Sequence, residues 1–318
     1  MKTAALALST GICAAAMAAA APAGIVLQND AIRAEIVPEW AGRLTFFGRP
    51  GGRNALWANP GAAEAGTDAA GNPVWKNVGG EKTWVGSQGA GWRAFAGRTD
   101  SGAVWPPPAW FDSEPLETVR ADATNVLLRS GWHSFAAGGE WTCALEREFT
   151  LLPDRLVVRM RMLLPEGVAA GEPMPDDDRR LWSVAQVPRP ERVAIRPLDG
   201  MRVTCAGAAK PPVRGDAEGA GSGAWAWMDI DGMDSHGKLM ADADALAVEI
   251  PEADGGGWFS IEQTAEPRHL GAFATPGRAM VFASAPDYEP SPYAELEFAA
   301  YGPDAAQTLQ LRFLPRLP

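Results

Sequence analysis

The chain has 318 residues, 47% hydrophobic and 21% charged, a balance that excludes a disordered or collagen-like polypeptide and leaves ample material for a large core. Its 28 basic and 39 acidic side chains give a net charge of −11. With the arginines scattered, such a surface repels phosphate backbones, and nucleic acid is disfavoured as a partner. Glycine (35) and proline (27) together favour many turns over long helices.

Residues 1–23 differ from everything after them. Lys2 precedes an apolar run from Ala4 to Ala20, which closes in Ala-x-Ala patterns around Ala19, Ala21 and Ala23. This is the layout of a secretory leader with a small-residue cleavage site, and the alanine-rich run is too weakly apolar for a good membrane span. The expectation is an exported protein, periplasmic or secreted, whose single mature domain spans 24–318. No later stretch approaches about 18 uninterrupted apolar residues, so no membrane insertion is expected. Cys13 falls in the leader. Cys143 and Cys205 remain, and an oxidising compartment allows them either to bridge or to lie buried as small hydrophobes.

From Gly24 onward, short runs of alternating polarity recur between turn residues. Gly24–Gln28, Ala31–Val37, Gly42–Phe47 and Asn54–Trp57 come first. Glu117–Arg129, Glu140–Leu151, Arg155–Leu164, Trp182–Val187, Val193–Leu198 and Met201–Cys205 follow. Ala245–Ile250, Trp258–Gln263, Met280–Ala283, Tyr293–Tyr301 and Gln307–Leu314 complete the set. No segment sustains a 3.6-residue apolar period with caps, so the fold class is all-β, antiparallel and layered. Pro60–Pro115, rich in Gly, Pro and Trp, shows little alternation, yet a structureless loop of that length is improbable, so it is expected to pack and carry function. Ala206–Ala224 reads as a surface excursion.

Thirteen tryptophans stand against three tyrosines, and seven lie between Trp40 and Trp110. Most are expected in the core. Those interleaved with Lys82, Gln88 and Arg93 would offer flat apolar faces beside polar donors, which suits a sugar ring. Gly79-Gly80-Glu81-Lys82-Thr83-Trp84 lacks phosphate-loop spacing and a following helix, so a nucleotide is disfavoured; it reads as a glycine-rich turn carrying a carboxylate and an ammonium. The three histidines (His133, His236, His269) and the absence of GxSxG argue against a serine hydrolase, and no His or Cys pair has zinc spacing. Asp229–Asp234 reads as a solvated acidic turn, with calcium as the alternative. No metal and no cofactor is expected. In Tyr293-Ala294-Glu295-Leu296-Glu297-Phe298 strict alternation sends Glu295 and Glu297 to one face. There they are expected either to be solvated or to be held in a pocket with partners.

One ordered set is more specific: Ala41-Gly42-Arg43-Leu44, Asn54-Ala55-Leu56-Trp57-Ala58-Asn59-Pro60, the Gly79–Trp84 block, Trp105-Pro106-Pro107, Trp182-Ser183-Val184-Ala185-Gln186-Val187 and Tyr293–Glu297. It resembles a domain-of-unknown-function family of the galactose mutarotase-like superfamily, across most of the mature chain. The resemblance implies an antiparallel β-supersandwich with a sugar-sized groove on a concave face. Aldose mutarotases of this superfamily open a sugar hemiacetal with a glutamate base and a histidine acid, helped by an arginine and a second histidine. Arg43 matches that arginine loosely, and Glu295 or Glu297 the late glutamate. The histidines do not carry over: the Gly-Gly-Glu-Lys block and the Trp182–Gln186 strand occupy their places.

The expected function is therefore carbohydrate binding in a tryptophan-lined groove, by Arg43, Glu81, Lys82, Trp84, Gln88, Trp105, Trp182, Gln186, Glu295 and Glu297. The alternative is a sugar-processing enzyme, an aldose 1-epimerase-like isomerase, with Glu295 as general base and Lys82 as acid or electrostatic stabiliser.

Overall fold

A computed structural model describes residues 23–59, 62, 66–67, 73–75, 77–86, 92, 106–134, 142–166, 181–197, 203–206, 213–214, 225–230, 237–251, 256–264, 278–284, 287–288, 291–300 and 306–317. The segment expected to be a leader, residues 1–23, lies outside them apart from Ala23.

Among these residues every strand pairing is antiparallel, and the strands build two large sheets. The first runs, neighbour to neighbour, Ile25–Gln28, Arg33–Val37, Arg43–Gly48, Glu81–Val85, Leu181–Pro188, Tyr293–Ala300, Arg278–Ala283, Gly237–Glu249 and Val203–Ala206. The second runs Glu117–Ala121, Asn125–Arg129, Thr142–Leu151, Arg155–Leu163, Ala306–Leu314, Trp258–Thr264, Gly237–Glu249, Arg192–Pro197, Ala226–Asp229 and Val213–Arg214. Gly237–Glu249 belongs to both: its first half pairs with Arg278–Ala283, its second with Trp258–Thr264. Helix among the described segments is confined to short pieces such as Pro38–Trp40 and Ala109–Asp112.

Period-2 alternation decides what each face does. In Arg155–Leu163 the residues Leu156, Val158 and Met160 are buried while Arg159 and Arg161 are exposed. The inward set packs with Leu145, Phe149, Leu309 and Leu311 against Leu44, Leu296 and Phe298 of the first sheet. On the outer face of the second sheet three glutamates each sit between two arginines: Glu146 between Arg129 and Arg161, Glu148 between Arg120 and Arg159, Glu262 between Arg196 and Arg312. The centre of the first sheet is different. All five residues of Glu81–Val85 and the first seven of Leu181–Pro188 are buried, so its outer face is covered too.

Four segments depart from the sequence expectation. Glu117–Arg129 is a hairpin, because the Asp122 carboxylate accepts from the backbone N–H groups of Thr124 and Asn125 and closes a turn. Asn54–Trp57 is not a strand: the Asn54 amide bonds Thr45 O and the N–H groups of Phe47 and Leu56, replacing a ladder with one side chain. Glu81–Val85 is a strand where a turn was expected. Burial on both faces removes the alternation that would have announced it. The acidic segment begins in strand Ala226–Asp229, and residues 231–234 lie outside the described set. Cys143 is a free, buried thiol, pushed up to about 12 by desolvation.

Strand geometry also separates neighbours. Glu81 and Lys82 point to opposite faces, and Glu81 turns inward between the sheets. There it pairs with Arg147 of Thr142–Leu151 and accepts from Ser183 Oγ at 3.1 Å, while Arg147 Nη1 donates to Gly42 O at 2.7 Å. Both ionic side chains are 0% exposed. Removing one partner strands a charge in the core, so Glu81→Gln is expected to cost about 3–5 kcal/mol, read as a lower urea midpoint than that of wild type.

Candidate functional site

The outer face of the first sheet gathers polar and charged side chains from five separate segments. Two left-handed turns set it up. Ala41 and Gly42 (φ 53° and 64°) redirect the chain into Arg43, and a Cβ on Gly42 would lie 2.7 Å from Leu128 Cδ1. Gly79 and Gly80 (φ 88° and 77°) let three backbones meet: a Cβ on Gly79 would lie 2.3 Å from Trp57 O, one on Gly80 2.4 Å from Leu44 O. Through this contact Gly80 N donates to Trp57 O, Gln186 N to Gly80 O and Trp57 N to Gln186 O. The glycines of the Gly-Gly-Glu-Lys block are thus used for close backbone approach.

Register then aligns the side chains. Lys82 lies opposite Val184, Val184 opposite Glu297, Gln186 opposite Glu295, and Trp182 opposite Trp84. Lys82, Trp84, Trp182, Gln186, Glu295 and Glu297 therefore share one face. Arg43 joins them, donating to Gly79 O and Asp112 O, each at 2.8 Å, and to Asp112 Oδ1 at 3.3 Å. Asp112, on the one-turn helix Ala109–Asp112, also accepts from Trp84 Nε1 at 2.8 Å and Trp75 Nε1 at 2.7 Å. Burial raises the Asp112 pKa, but Arg43, Lys82 and the two indole donors outweigh it and hold the carboxyl below its usual range. Trp182 Nε1 donates to Glu297 at 2.7 Å and Gln186 Nε2 to Glu295 at 2.7 Å.

Lys82 stands apart from these hydrogen-bonded side chains. Its side chain is nearly sealed, at 2% exposure, and Nζ has no hydrogen-bond partner among the described residues. It lies 4.4 Å from the Trp84 ring centroid and 5.7 Å from that of Trp75, held by ring quadrupoles rather than by acceptors. Desolvation and the Arg43 charge lower its pKa from 10.5 to about 8, against the opposing pull of Asp112, Glu295 and Glu297. A buried ammonium of this kind is the group most in need of an acceptor.

The structure brings together seven of the ten residues expected at the site: Arg43, Lys82, Trp84, Trp182, Gln186, Glu295 and Glu297. Glu81 faces the other way, and Gln88 and Trp105 lie outside the described residues. Of the tryptophans expected at the groove, the described Trp84 and Trp182 are packed away from solvent. Trp84 and Trp182 are 2% and 4% exposed and pack edge to face at 5.1 Å, with Trp92 edge-on to Trp84 at 5.2 Å. Their indole N–H groups orient carboxylates instead. Solvent meets the cluster at the half-buried Trp75 and Glu295. Asp112, which ties Arg43 to two indoles, was not singled out from the sequence; its signal is a lone carboxylate in the aromatic run Trp110-Phe111-Asp112. The one histidine among the described residues, His133, stacks on Trp110 at 4.5 Å, and burial lowers its pKa. No group of three or more His, Cys, Asp or Glu among the described residues is placed to hold a metal ion, and no described helix is long and apolar enough to cross a membrane.

Three solved structures share this arrangement of sheets. A galactose mutarotase-like protein from Lactobacillus casei ATCC 334 superposes with a TM-score of 0.57 at 11% identity, over 92% of this chain and 100% of that one. The Slr1438 protein from Synechocystis sp. PCC 6803 gives 0.55 at 12% identity, over 92% and 96%. A putative aldose 1-epimerase from Escherichia coli K12 gives 0.50 at 13% identity, over 92% and 99%. The fold is galactose mutarotase-like. No protein-family model and no curated protein matches the chain.

On this mutarotase-like scaffold Lys82 sets a pH dependence. Between about 8 and 10.5 the unfolded chain still holds the lysine proton that the folded protein has released, so folding stability rises with pH across that window. Compared with Lys82→Met, wild type is expected to gain stability from pH 8 to pH 10 and to show no such relative gain between pH 6 and 7. Urea midpoints of the two proteins at each pH measure the difference.

Proposed function

We propose that the protein binds a carbohydrate at the Lys82–Gln186–Glu295–Glu297 cluster, and that it does so outside the cytoplasm after removal of its leader. The observation that carries the reading is the buried Lys82 ammonium, which meets no acceptor among the described residues and is flanked by oriented carboxylates. A sugar hydroxyl is small, neutral and both donor and acceptor, so it can accept from Lys82 while donating to Glu295. Trp75, at the solvent edge, offers apolar ring surface beside these groups. The mutarotase-like fold and the likeness to a putative aldose 1-epimerase favour a sugar over other polyols.

The lowered Lys82 pKa also favours a second, catalytic reading. In aldose anomerisation the Glu295 carboxylate would take the proton from the anomeric hydroxyl while the Lys82 ammonium gives one to the ring oxygen. The C1–ring oxygen bond breaks as the C1 carbonyl forms; rotation about C1–C2 and the reverse transfers close the other anomer. At pH 7 a lysine with a pKa of about 8 is mostly protonated and so available as the acid. Proton donors and acceptors matched to the working pH contribute about 10²–10⁴-fold to such steps.

Glycan-array binding and polarimetry of freshly dissolved aldoses separate the two readings. Binding is expected to fall at least about tenfold in Lys82→Met and in Glu295→Gln, the loss of one charge-assisted hydrogen bond. If anomerisation is also accelerated, its rate should drop as pH rises through 8 and vanish in both variants. Binding without acceleration leaves the carbohydrate-binding reading alone; neither binding nor acceleration overturns both.

A further inference from the structure

Two atoms of the Lys82 cluster are left over by its hydrogen bonding, and they are of opposite kinds. Lys82 Nζ, a donor, and Gln186 Oε1, an acceptor, are both buried and meet no hydrogen-bonding group among the described residues. Register puts them on one face: Lys82 lies opposite Val184, and Gln186 follows two residues later in the same strand. The Gln186 amide is fixed by its other end, where Nε2 donates to Glu295 at 2.7 Å. A buried donor and a buried acceptor that do not satisfy each other call for a third group that serves both.

An amine so placed is a nucleophile as well as an acid. The Trp84 and Trp75 rings beside Nζ present faces that offer no proton to its lone pair. With burial and Arg43 bringing its pKa to about 8, about a quarter of Lys82 is the neutral amine at pH 7.5, roughly 200 times the share of an ordinary lysine. The half-buried Glu295, at the solvent edge of the same face, is the carboxylate through which a proton can leave and return. A sugar carries the matching electrophile. Its open-chain form ends in an aldehyde carbon, and the neighbouring carbon bears a hydroxyl.

We infer that Lys82 forms an imine with the aldehyde carbon of an open-chain aldose, so that the site holds reducing sugars covalently and reversibly. The inference rests on the carbohydrate reading above and narrows it to sugars with a free anomeric centre. Glu295 takes a proton from the Lys82 ammonium. The Nζ lone pair then forms the C–N bond while the carbonyl π pair moves to oxygen, which takes the second nitrogen proton and becomes a hydroxyl. That hydroxyl donates to Gln186 Oε1, the acceptor left over in the folded protein. Return of the proton from Glu295 lets the hydroxyl leave as water, and the nitrogen lone pair closes the protonated C=N bond. One water is released and nothing is oxidised or reduced; hydrolysis by the reverse path frees the sugar.

Reductive trapping on the full chain tests it. Glycolaldehyde and D-erythrose, which share the hydroxyl-bearing aldehyde head, are each added with sodium cyanoborohydride at about pH 7.5. Mass spectrometry of the lysine peptides reads the secondary amine that hydride leaves on any imine. Beyond the leader the other lysines are Lys76, Lys210 and Lys238, and they serve as internal references. Lys82 is expected to be labelled at least about tenfold faster than any of them, as its larger share of neutral amine requires. Lys82→Arg keeps the positive charge and should lose the fast-labelled peptide, with circular dichroism and thermal melts confirming that it folds. The inference is overturned if both aldehydes leave Lys82 unmodified, or label it no faster than the reference lysines. Calorimetry with free aldoses, without the reductant, separates the two failures. Aldose binding with Lys82 unmodified removes the imine and leaves the carbohydrate reading; neither binding nor labelling removes both.

Discussion

Covering both faces of a central sheet is the constraint from which the site follows. Once Glu81–Val85 and Leu181–Pro188 lose contact with water on each side, every polar atom they carry needs a partner inside the protein. On the inner face Glu81 meets that demand in an ion pair with Arg147, tied to Ser183 and to the carbonyl of Gly42. On the outer face it is met by a chain of charge-assisted bonds from Arg43 through Asp112 to the indoles, and from Trp182 to Glu297. An apolar residue at position 82 would have completed that face at lower cost. The chain instead holds an ammonium there with its pKa pushed down, and natural proteins keep such expensive groups mostly where they act on something.

The tryptophans change meaning in this light. An indole supplies a broad apolar body and a single directed N–H. Trp75, Trp84 and Trp182 use the body to exclude water from the cluster and the N–H to fix a carboxylate. A carboxylate whose lone pairs are engaged in this way has a defined orientation before any ligand arrives, which lowers the reorganisation required on binding.

Much of this was legible in the sequence, for reasons that can be traced to particular residues. Tyr293-Ala294-Glu295-Leu296-Glu297-Phe298 announces a strand and places both glutamates on one face, because one side of it packs on Leu and Phe. Arg155–Leu163 is equally plain, with solvent on one side and core on the other. The motif blocks around Arg43, Lys82 and Trp182 carried the mutarotase-like likeness that the superposed structures show. What escaped was non-local. Glu81–Val85 has no alternation because neither of its faces meets water, so Glu81 and Lys82 read as neighbours when a sheet separates them. Asp112 owes its role to donors 28, 37 and 69 residues away, and no local pattern encodes such an appointment.

That collection has a kinetic side. Arg43, Lys82, Asp112, Gln186 and Glu295 sit on segments that meet only after long intervening stretches have been looped out, and Tyr293–Ala300 lies between Leu181–Pro188 and Arg278–Ala283 rather than at a rim. Loop closure of this kind is slow and its reward arrives late. Gly237–Glu249 stitches the two sheets into one fabric, so the completion of each layer is tied to that of the other. The lysine's unusual surroundings therefore come into being only with the finished architecture, so that a half-assembled chain would titrate there like any ordinary lysine.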